Sequence, residues 1–349
     1  MPLNIYKEID NPQQITILIP TRNRPDCLKR ALDSIESTAH NKKNINLIIY
    51  IDEDDLITKQ LVDKNNSINY KFEITCFVGQ RTGTMGERLN KLREISNRNA
   101  GIYMAIADDY IFVTKNWDNI LRKIINSFPD RIVLTFPEDP NATPNQITHM
   151  WVSTEWTNIL GRYISEYFPF WYDDSWFDQV AQMIQRKVKL DIHMKPQGGK
   201  GKTQGMRNLL FWEKYFHNTL DERLEEATLL LKNIHKNNPK EYQKCLNNAK
   251  KLAQQFSCES KNMDFNNILD MEKQCTGENL DSLPDSRYFK TENKAVIHLR
   301  QKLKYSLKRV QIIKFFYILD NLLCSYQYLR YFQYKKIEWK NKIIKKLTY

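Results

Sequence analysis

Short apolar runs alternate with longer stretches of helical apolar spacing along the first 200 residues of the chain. Uninterrupted apolar runs are typical of strands buried on both faces of a parallel sheet. Because helical stretches separate the runs, we expect a mostly parallel α/β sheet flanked by helices. The predicted strands are Ile15–Pro20, Ile45–Ile51, Phe72–Val78 and Ile102–Ala107, and the predicted helices between them are Pro25–Thr38, Leu56–Lys64 and Glu87–Asn97.

This mixed pattern continues to about residue 206 and then gives way to helical spacing alone. We therefore divide the chain into a mixed region, 1–206, and a helical region, 207–349. The mixed region also contains predicted helices at Trp117–Phe128, Trp156–Tyr167 and Ser175–Gln185, and predicted strands at Arg131–Phe136, Trp151–Ser153 and Lys187–Met194. The helical region contains predicted helices at Leu209–Lys236, Pro239–Phe256 and Asn262–Gly277.

The fourth predicted strand ends in two adjacent carboxylates, Asp108 and Asp109. Adjacent like charges repel each other unless a cation or a hydrogen-bonding ligand lies between them. Open α/β sheets bind ligands beyond the carboxyl ends of their strands. The pair is therefore a candidate site for a divalent metal ion and nucleotide phosphates. The alternative is a solvated Asp-Asp turn that closes the strand.

Composition narrows the class of protein. The chain has 349 residues, of which 41% are hydrophobic and 12% aromatic, so it is a folded protein with a large core. The six cysteines show no CxxC pattern, which argues against a zinc ribbon or a disulfide scaffold and fits a reducing cytoplasm. We expect neither a signal peptide nor a membrane-spanning helix, because Met1–Glu8 lacks the signal pattern and no apolar run is long enough.

Most of the net charge of +12 lies in the tail, residues 295–349, where thirteen Lys and Arg face only Asp320 and Glu338. Aromatic residues interleave with these basic residues. Three alternatives fit this composition. We favour packed helices with a solvated basic face, which could also form a homodimer surface. An anionic membrane surface is the second alternative, and a nucleic acid is the least favoured partner.

The order of these signals over roughly residues 15–206 resembles the nucleotide-sugar glycosyltransferases of the GT-A fold, in particular the family-2-like group. The segment after the first predicted strand is similar to the opening motif of that family, whose loop lies against the nucleobase. This segment consists of Pro20, Thr21, Arg22, Asn23 and Arg24.

The second predicted strand ends in an acidic segment that resembles another family motif, in which a carboxylate accepts a hydrogen bond from the base ring. Here the resemblance implies Asp52 and Asp54. The segment Arg81–Asn90 occupies the same position in the order of motifs as the family segment that lies near the diphosphate. Besides Arg81, the candidate diphosphate contacts are Lys200, Lys202 and Arg207, in or beside the glycine-rich loop at residues 197–205.

Asp108 and Asp109 look like the metal-binding DxD motif of the family, with Tyr110 in the place of the usual third acid. The resemblance implies that Asp108 binds the ribose and Asp109 the metal ion. His193 matches in position a histidine that completes metal coordination in many GT-A enzymes. The alternative for His193 is an ordinary surface histidine on an edge strand.

Asp173 and Asp174 resemble the acidic pair that supplies the catalytic base in inverting members of the family. A carboxylate within hydrogen-bond reach of the acceptor hydroxyl can take its proton during attack. Asp174 follows an aromatic run at 168–172, and Asp178 is a further candidate. The alternative role for the pair is to cap the following helix.

The reaction that the resemblance implies releases a diphosphate. Mn²⁺ or Mg²⁺ stabilises the charge that develops on this leaving group. Such hard cations prefer carboxylate oxygens and need only one or two protein ligands beside phosphates and water. Mn²⁺ also accepts an imidazole ligand, which is consistent with His193 as a metal ligand.

The sequence therefore predicts a metal-dependent, inverting glycosyltransferase that moves a sugar from a nucleoside-diphosphate sugar to a glycan hydroxyl in capsule or lipopolysaccharide synthesis. The acceptors of such enzymes are often lipid-linked. One alternative is a nucleotidyltransferase, which should carry a glycine-rich loop after the first strand, whereas residues 20–25 contain no glycine. The other alternative is a basic membrane- or nucleic-acid-binding module with an inactive sheet domain.

Overall fold

The computed structural model describes residues 12–65, 70–81, 84–96, 100–140, 142–143, 145–168, 171–198, 209–261, 294–295, 297–299 and 301–302. Several expectations fall outside these ranges: Lys200, Lys202, Arg207, the helix at Asn262–Gly277 and most of the tail at 295–349. No helix within the described residues is both long and apolar enough to cross a membrane.

The strands of the described residues form one curled sheet in the order β3-β2-β1-β4-β7-β6-β8-β5. Neighbouring strands among β3, β2, β1 and β4 pair in parallel, and so do β6 and β8. Strand β7 pairs antiparallel with both β4 and β6, and β5 pairs antiparallel with β8. The expected mostly parallel α/β sheet is confirmed. The strands are β1 (Ile15–Thr21), β2 (Ile45–Asp52), β3 (Glu73–Gly79), β4 (Ile102–Ala105), β5 (Tyr110–Phe112), β6 (Leu134–Glu138), β7 (Trp151–Ser153) and β8 (Lys187–Pro196).

Proline and apolar spacing together set the helix starts. Pro25 and Pro239 each occupy the first position of a helix, where the missing N–H costs nothing. The predicted helix Leu209–Lys236 is interrupted at Thr219. The helices are α1 (Pro25–Thr38), α2 (Leu56–Asn65), α3 (Met85–Ile95), α4 (Trp117–Asn126), α5 (Thr154–Leu160), α6 (Asp173–Met183), α7 (Leu209–Asn218), α8 (Leu220–Ile234) and α9 (Pro239–Lys261), with a 3₁₀ turn at Lys42–Asn44.

The turn after β4 joins two separate parts of the sheet. Only residues 106–109 connect β4 to β5, although β7, β6 and β8 lie between these strands in the sheet order. The sheet therefore curls, and its two parts approach each other where Asp108 and Asp109 lie. Strand β5, which follows the acidic turn directly, was not predicted from the sequence.

One hydrophobic core lies under both parts of the sheet. It includes alternate residues of β1 and β2, which point to one face of the sheet, and Leu190, Ile192 and Met194 of β8. The residues from β1 and β2 are Ile15, Ile17, Ile19, Ile45, Leu47, Ile49 and Ile51. The ring of Phe112 stacks on Trp117 with centroids 4.2 Å apart. Because β5 supplies Phe112, this packing attaches the strand after the acidic turn to the core.

The described residues fall into two compact units. One unit contains the described residues up to 198 together with α8 and α9, and the other contains α7 and the described residues from 294 onward. The helices α8 and α9 group with the sheet, because α8 packs on α5 and α6, and α9 packs on α6 and α8. Within the second unit, the Tyr215 hydroxyl lies 2.9 Å from His298 Nδ1.

Asp118 is a fully buried charge that joins α4 to the chain between α1 and β2. Its carboxylate accepts hydrogen bonds from the backbone N–H groups of His40 at 2.8 Å and Asn41 at 2.9 Å. It also accepts one from Arg122 Nη1 at 2.5 Å. Burial alone would raise the pKa of Asp118, but these donors outweigh it and hold the pKa below its ordinary value.

We expect Asp118→Ala to lower the thermal unfolding midpoint by at least about 6 °C, because removing one partner of a buried pair costs about 3–5 kcal/mol. The depressed pKa means that Asp118 stabilises the fold above pH ~4 and loses this effect as the pH falls through its folded pKa. The difference between the wild type and Asp118→Asn should therefore shrink in acid. Glu94→Ala, at an exposed ion pair with Lys91, is the control and should change little. An equal midpoint for Asp118→Ala and the wild type would contradict this role.

Candidate active site

Asp52 lies at the end of β2 and is fully buried. Its Oδ2 atom accepts hydrogen bonds from Arg22 Nη1 at 3.0 Å and from Arg88 Nη2 at 3.2 Å. Arg81 Nε lies 4.0 Å from the same oxygen. The other oxygen, Oδ1, has no hydrogen-bond partner within the described part of the chain. A buried carboxylate with one unsatisfied oxygen is a candidate acceptor for a ligand.

Arg22 connects Asp52 to the more exposed Asp54. Its Nη2 donates to Asp54 Oδ2 at 2.8 Å, and its Nη1 contacts the other oxygen of the same carboxylate. The hydrogen bond from Arg22 lowers the pKa of Asp54 to about 2. Arg22 thus binds both Asp52 and Asp54, the two acids predicted to contact the nucleobase.

Asp55, the last residue of the acidic segment, shapes the loop after β1. Its Oδ2 accepts from the backbone N–H of Asn23 at 2.7 Å, and its Oδ1 accepts from the N–H of Thr58 at 3.0 Å, in the first turn of α2. Asn23 has the left-handed backbone angle φ 53°, which asparagine tolerates better than most residues. The loop between β1 and α1 is therefore anchored to the end of β2.

Asp108 is held in the turn after β4 and only 1% of it is exposed. Its Oδ2 accepts a hydrogen bond from the Thr21 hydroxyl at 2.7 Å. Its Oδ1 lies 3.0 Å from Arg24 Nη2, but not in hydrogen-bond geometry, and so has a charge partner without a hydrogen bond. Burial raises the pKa of Asp108 to about 6, while the Arg24 charge and the Thr21 hydrogen bond act against this rise.

Asp109 is more accessible than Asp108, with 22% of its side chain exposed. Arg24 Nη1 donates to its Oδ2 at 2.7 Å, so one guanidinium group spans both carboxylates of the pair. The backbone carbonyl of Asp109 accepts from the N–H of Gln197, which follows β8. The structure thus brings Thr21, Arg24, Asp108 and Asp109 together at the carboxyl ends of β1 and β4.

His193 does not join this group. The β5–β8 register pairs Tyr110 with Pro196, and the N–H of Val113 donates to the carbonyl of His193. The strand rise places His193 about 13 Å along the sheet from Asp109. Its ring lies against Glu138 instead, with Nδ1 and Oε2 3.0 Å apart. This register therefore does not bring His193 close enough to Asp109 for the two to share one metal ion, although such sharing was expected.

Asp173 and Asp174 are the first two residues of α6, and the cap position before them belongs to Tyr172. Asp173 and Asp174 therefore do not cap α6 as expected. They lie in its first turn, where the helix dipole favours acidic side chains. Burial, together with the charge of Asp174, raises the pKa of Asp173 well above its ordinary value. Burial also raises the pKa of Asp174, against a hydrogen bond from the N–H of Ser175 at 2.7 Å.

The segment Arg81–Asn90 has both contact and packing roles. Arg88 reaches Asp52, whereas Asn90 holds the chain at 163–164, where its Oδ1 accepts from the N–H groups of Tyr163 and Ile164. Gly86 packs closely on the same stretch, because a Cβ there would lie 2.3 Å from the carbonyl oxygen of Ser165. Any residue larger than glycine would push α3 away from this chain.

Tyr110, which stands in place of the third acid of the motif, brings a distant carboxylate to the site. Its hydroxyl donates to Asp139 Oδ2 at 2.8 Å, and its ring meets His149 edge-on at 4.6 Å between centroids. Burial lowers the pKa of His149 to about 4, although the charges of Asp139 and Asp109 raise it. His149 is therefore a neutral imidazole near Asp109.

Sequence reasoning did not assign roles to Arg88, Asp139 and His149. A signal for Arg88 was present, since an arginine inside the apolar face of a predicted helix needs a buried partner. Asp139 and His149 gave no local signal, because each lies in an irregular segment remote in sequence from residue 110.

The residues present fit a metal ion that substrate phosphates would also bind. Within the described ranges, no group of three or more His, Cys, Asp or Glu side chains is arranged to hold a metal ion. A pair of carboxylates, one with a buried oxygen that accepts no hydrogen bond, suits Mg²⁺ or Mn²⁺ when phosphates and water complete the coordination. Asp109, the more exposed acid, is the candidate ligand.

Comparison with known proteins gives matches in structure but not in sequence. No family model matches the chain, and no curated protein is significantly similar to it in sequence. TarS 1-349 from S. aureus, in complex with UDP, matches with a TM-score of 0.50 at 12% identity, over 75% of this chain and 77% of that chain.

Two further structures match at lower TM-scores. Another S. aureus TarS structure gives 0.47 at 10% identity over 70% of this chain and 54% of that chain, so this chain spans about half of its length. The mannosyltransferase PcManGT from Pyrobaculum calidifontis, in complex with GDP-Man and Mn²⁺, gives 0.45 at 10% identity over 85% and 90% of the two chains. At such identities the TarS match shows the fold alone: the chain has the GT-A fold of nucleotide-sugar glycosyltransferases, as expected.

We expect Asp108→Asn to stabilise the ligand-free protein as the pH rises. With a folded pKa near 6, the wild type keeps the Asp108 proton above the unfolded pKa and loses stability as the pH rises from about 4 to 6. Two pKa units correspond to about 3 kcal/mol. Asparagine does not titrate, so the melting temperature of the variant relative to the wild type should increase between pH 5 and pH 7.5. Asp33→Asn, at an exposed pair with Lys29, is the control. A constant difference would contradict the raised pKa.

Proposed function

We propose that the chain is a metal-dependent glycosyltransferase that moves a sugar from a nucleoside-diphosphate sugar to a glycan hydroxyl. The observation that carries this proposal is the Asp108–Asp109 pair at the end of β4, held by Thr21 and Arg24 in a GT-A sheet. Burying a charged carboxylate costs free energy unless it is paired and hydrogen-bonded, and groups buried at such a cost cluster at functional sites. The carboxyl ends of the strands are also where α/β sheets bind ligands.

The nucleobase is assigned to the loop after β1 and to Asp52. Arg22 and Arg88 both hold Oδ2 of Asp52, which leaves the buried Oδ1 without a hydrogen-bond partner in the described structure. A ring N–H of the base would satisfy this oxygen. The UDP in the TarS complex carries such a group, which supports the assignment by fold likeness. The loop residues Pro20, Thr21, Arg22, Asn23 and Arg24 complete this side of the proposed donor site.

The ribose and the metal ion are assigned to the acidic pair. Asp108 is buried and has one oxygen free of hydrogen bonds to accept from a ribose hydroxyl, whereas Asp109 is exposed enough to bind a hydrated cation. Bound Mn²⁺ or Mg²⁺ would neutralise charge on the departing diphosphate. Arg81, 35% exposed beside Asp52, and Lys202, outside the described residues, are the proposed diphosphate contacts.

The catalytic base is assigned to Asp174. Its neighbour Asp173 is buried and carries an oxygen without a hydrogen bond, and burial raises its pKa well above the ordinary value, which favours its protonated form. Asp174 is only partly buried and accepts a hydrogen bond from the N–H of Ser175, which favours its ionised form. An available carboxylate base supports an inverting reaction.

The acceptor is assigned by family resemblance to a growing surface polysaccharide, a capsule or a lipopolysaccharide, whose chains are often lipid-linked. The basic and aromatic composition of residues 295–349 suits an anionic membrane surface that carries such an acceptor. The same composition also suits a homodimer surface.

The donor class is tested by thermal shift with UDP-, GDP-, CMP- and dTDP-sugars, each with and without Mn²⁺. A ligand at 100 times its Kd stabilises the native state by about 2.7 kcal/mol, or roughly 4 °C for a chain of 349 residues. We expect one nucleotide class to raise the unfolding midpoint, and to do so mainly with Mn²⁺. A panel without any shift, at ligand concentrations up to the millimolar range, would argue against a nucleotide-sugar site.

Asp109→Ala should abolish the Mn²⁺-dependent part of this shift and of sugar transfer while the protein stays folded. Its partner Arg24 is 36% exposed and can be solvated after the change, so the unfolding midpoint should stay within a few degrees of the wild type. The control is Asp33→Ala, at an exposed acid on α1, which should keep both the Mn²⁺-dependent thermal shift and sugar transfer. Full Mn²⁺-dependent transfer by Asp109→Ala would refute the assignment of this residue to the metal.

Asp174→Asn and Asp173→Asn separate the base from its neighbour. Loss of a general base typically lowers kcat by about 10²–10⁴-fold, so we expect such a loss for Asp174→Asn with unchanged stabilisation by the donor. Asp173→Asn replaces a buried carboxyl, whose raised pKa favours the neutral form, with a neutral group of similar shape and should reduce kcat far less. The opposite order of effects would identify Asp173 as the base.

A further inference from the structure

Two arginines separated by one residue each bind a different pair of carboxylates. Arg22 binds Asp52 and Asp54 at the end of β2. Arg24 binds Asp108 and Asp109 beyond the end of β4. Strands β2 and β4 are the two neighbours of β1 in the sheet. The loop that follows β1 therefore supplies the cation for the acidic segments on both of its sides.

The backbone of this loop is fixed in a way that separates the two side chains. The N–H of Asn23 is bound by Asp55 at 2.7 Å, and Asn23 itself is left-handed with φ 53°. Arg24 is the cap residue of α1, and its carbonyl accepts from the N–H of Leu28 at 3.0 Å. Since Leu28 is buried in the core, the start of α1 is held in place. The position of the Arg24 backbone is thus set by the fold, while its side chain reaches the acidic pair.

Arg24 occupies the side of the acidic pair that a metal cation needs. Its Nη1 lies 2.7 Å from Asp109 Oδ2, and its Nη2 lies 3.0 Å from Asp108 Oδ1. A divalent ion binding to either oxygen would repel the guanidinium, since like charges about 4 Å apart interact strongly at a partly buried site. Metal binding by the pair alone is therefore opposed by Arg24.

A nucleoside diphosphate changes this balance. It brings at least two negative charges, and its oxygens suit the planar donor fork of an arginine. Arg24 can then exchange a carboxylate for a phosphate and release Asp109 for the metal ion. No third acid, imidazole or thiolate among the described residues joins the pair to bind a metal ion without such help.

We propose that Arg24 makes the acidic pair selective for a complex of a divalent cation with a nucleoside diphosphate, and excludes the free cation. This inference rests on the proposed function, since it requires that the pair bind metal and diphosphate. Arg24 is a specificity-determining residue here: it opposes the metal ion alone and binds the anion that arrives with it. Metal and nucleotide then bind with positive coupling, which is reciprocal by thermodynamic linkage.

The test is a titration of the full chain with Mn²⁺, in which free Mn²⁺ is followed by electron paramagnetic resonance with and without UDP. Without nucleotide, Arg24→Gln should bind Mn²⁺ at least about tenfold more tightly than the wild type, since a hydrogen bond to a charged group is worth about 1.5–3 kcal/mol. Arg30→Gln is the matched control: it removes the same charge from an exposed arginine on α1, outside the proposed donor site. It should change the affinity for free Mn²⁺ by less than about threefold, because screening weakens more distant charges.

The second readout is the factor by which UDP tightens Mn²⁺ binding. We expect this factor to fall in Arg24→Gln and to persist in Arg30→Gln at UDP concentrations that saturate each protein. Arg24→Lys keeps the charge but lacks the planar fork that spans both carboxylates. It should lie between the wild type and Arg24→Gln, and it serves as the test variant if Arg24→Gln fails to fold.

The outcomes separate this inference from the proposed function. If Mn²⁺ binds the wild type equally well with and without UDP, or binds Arg24→Gln and Arg24→Lys no more tightly than the wild type, the inference is wrong and the metal-dependent function stands. If no protein binds Mn²⁺ even with saturating UDP, both are wrong. Tighter free-metal binding by Arg24→Gln that Asp109→Ala removes in the double variant would support the inference.

Discussion

The two strands that flank β1 in the sheet, β2 and β4, carry acidic residues at or just beyond their carboxyl ends, and the structure depends on how these charges are compensated. Asp52 and Asp108 are almost completely buried, one at the end of β2 and the other just after β4. Buried carboxylates persist in a fold when cations and hydrogen-bond donors hold them. The loop after β1, between these two strands, supplies Arg22 on one side and Arg24 on the other. The donor site that we propose is thus built around charges that the fold has already paired.

The hydrogen bonds and charges around these buried carboxylates leave some carboxylate oxygens without a hydrogen bond, and these oxygens belong to residues to which we assign ligand contacts or the neighbourhood of the catalytic base. One oxygen each of Asp52, Asp108 and Asp173 accepts no hydrogen bond within the described residues. Burial raises the pKa values of Asp108 and Asp173, which records the free-energy cost of ionising them in the ligand-free protein. Unsatisfied polar groups of this kind are typical of sites where a ligand completes the hydrogen bonds. Burial also distinguishes Asp173 from Asp174, because only the more accessible acid can exchange a proton with an acceptor.

The parts of the site that the sequence predicted are those in which neighbours along the chain act together. Asp108 and Asp109 follow an apolar run, and Arg22 and Arg24 follow another, so strand periodicity alone places both segments at one edge of a parallel sheet. His193 was expected beside Asp109, but its place depends on the β5–β8 register, which no local pattern encodes. The links from Tyr110 to Asp139 and His149 join segments 29 residues or more apart in the chain. Only packing reveals that α8 and α9 group with the sheet, because their helical spacing does not encode which elements they contact.

The sequence by itself determined the α/β class, most helices and strands, and the acidic segments at the strand ends, because these features follow from periodicity and from short-range steric preferences. The tertiary structure alone decided which arginine binds which carboxylate pair, that Arg88 and Asp139 reach the site, and that His193 does not. These contacts depend on strand order, on register and on the curl of the sheet at residues 106–109. All three arise from packing between segments distant in the chain, where each side chain's partner is set by the whole fold and not by its neighbours in sequence.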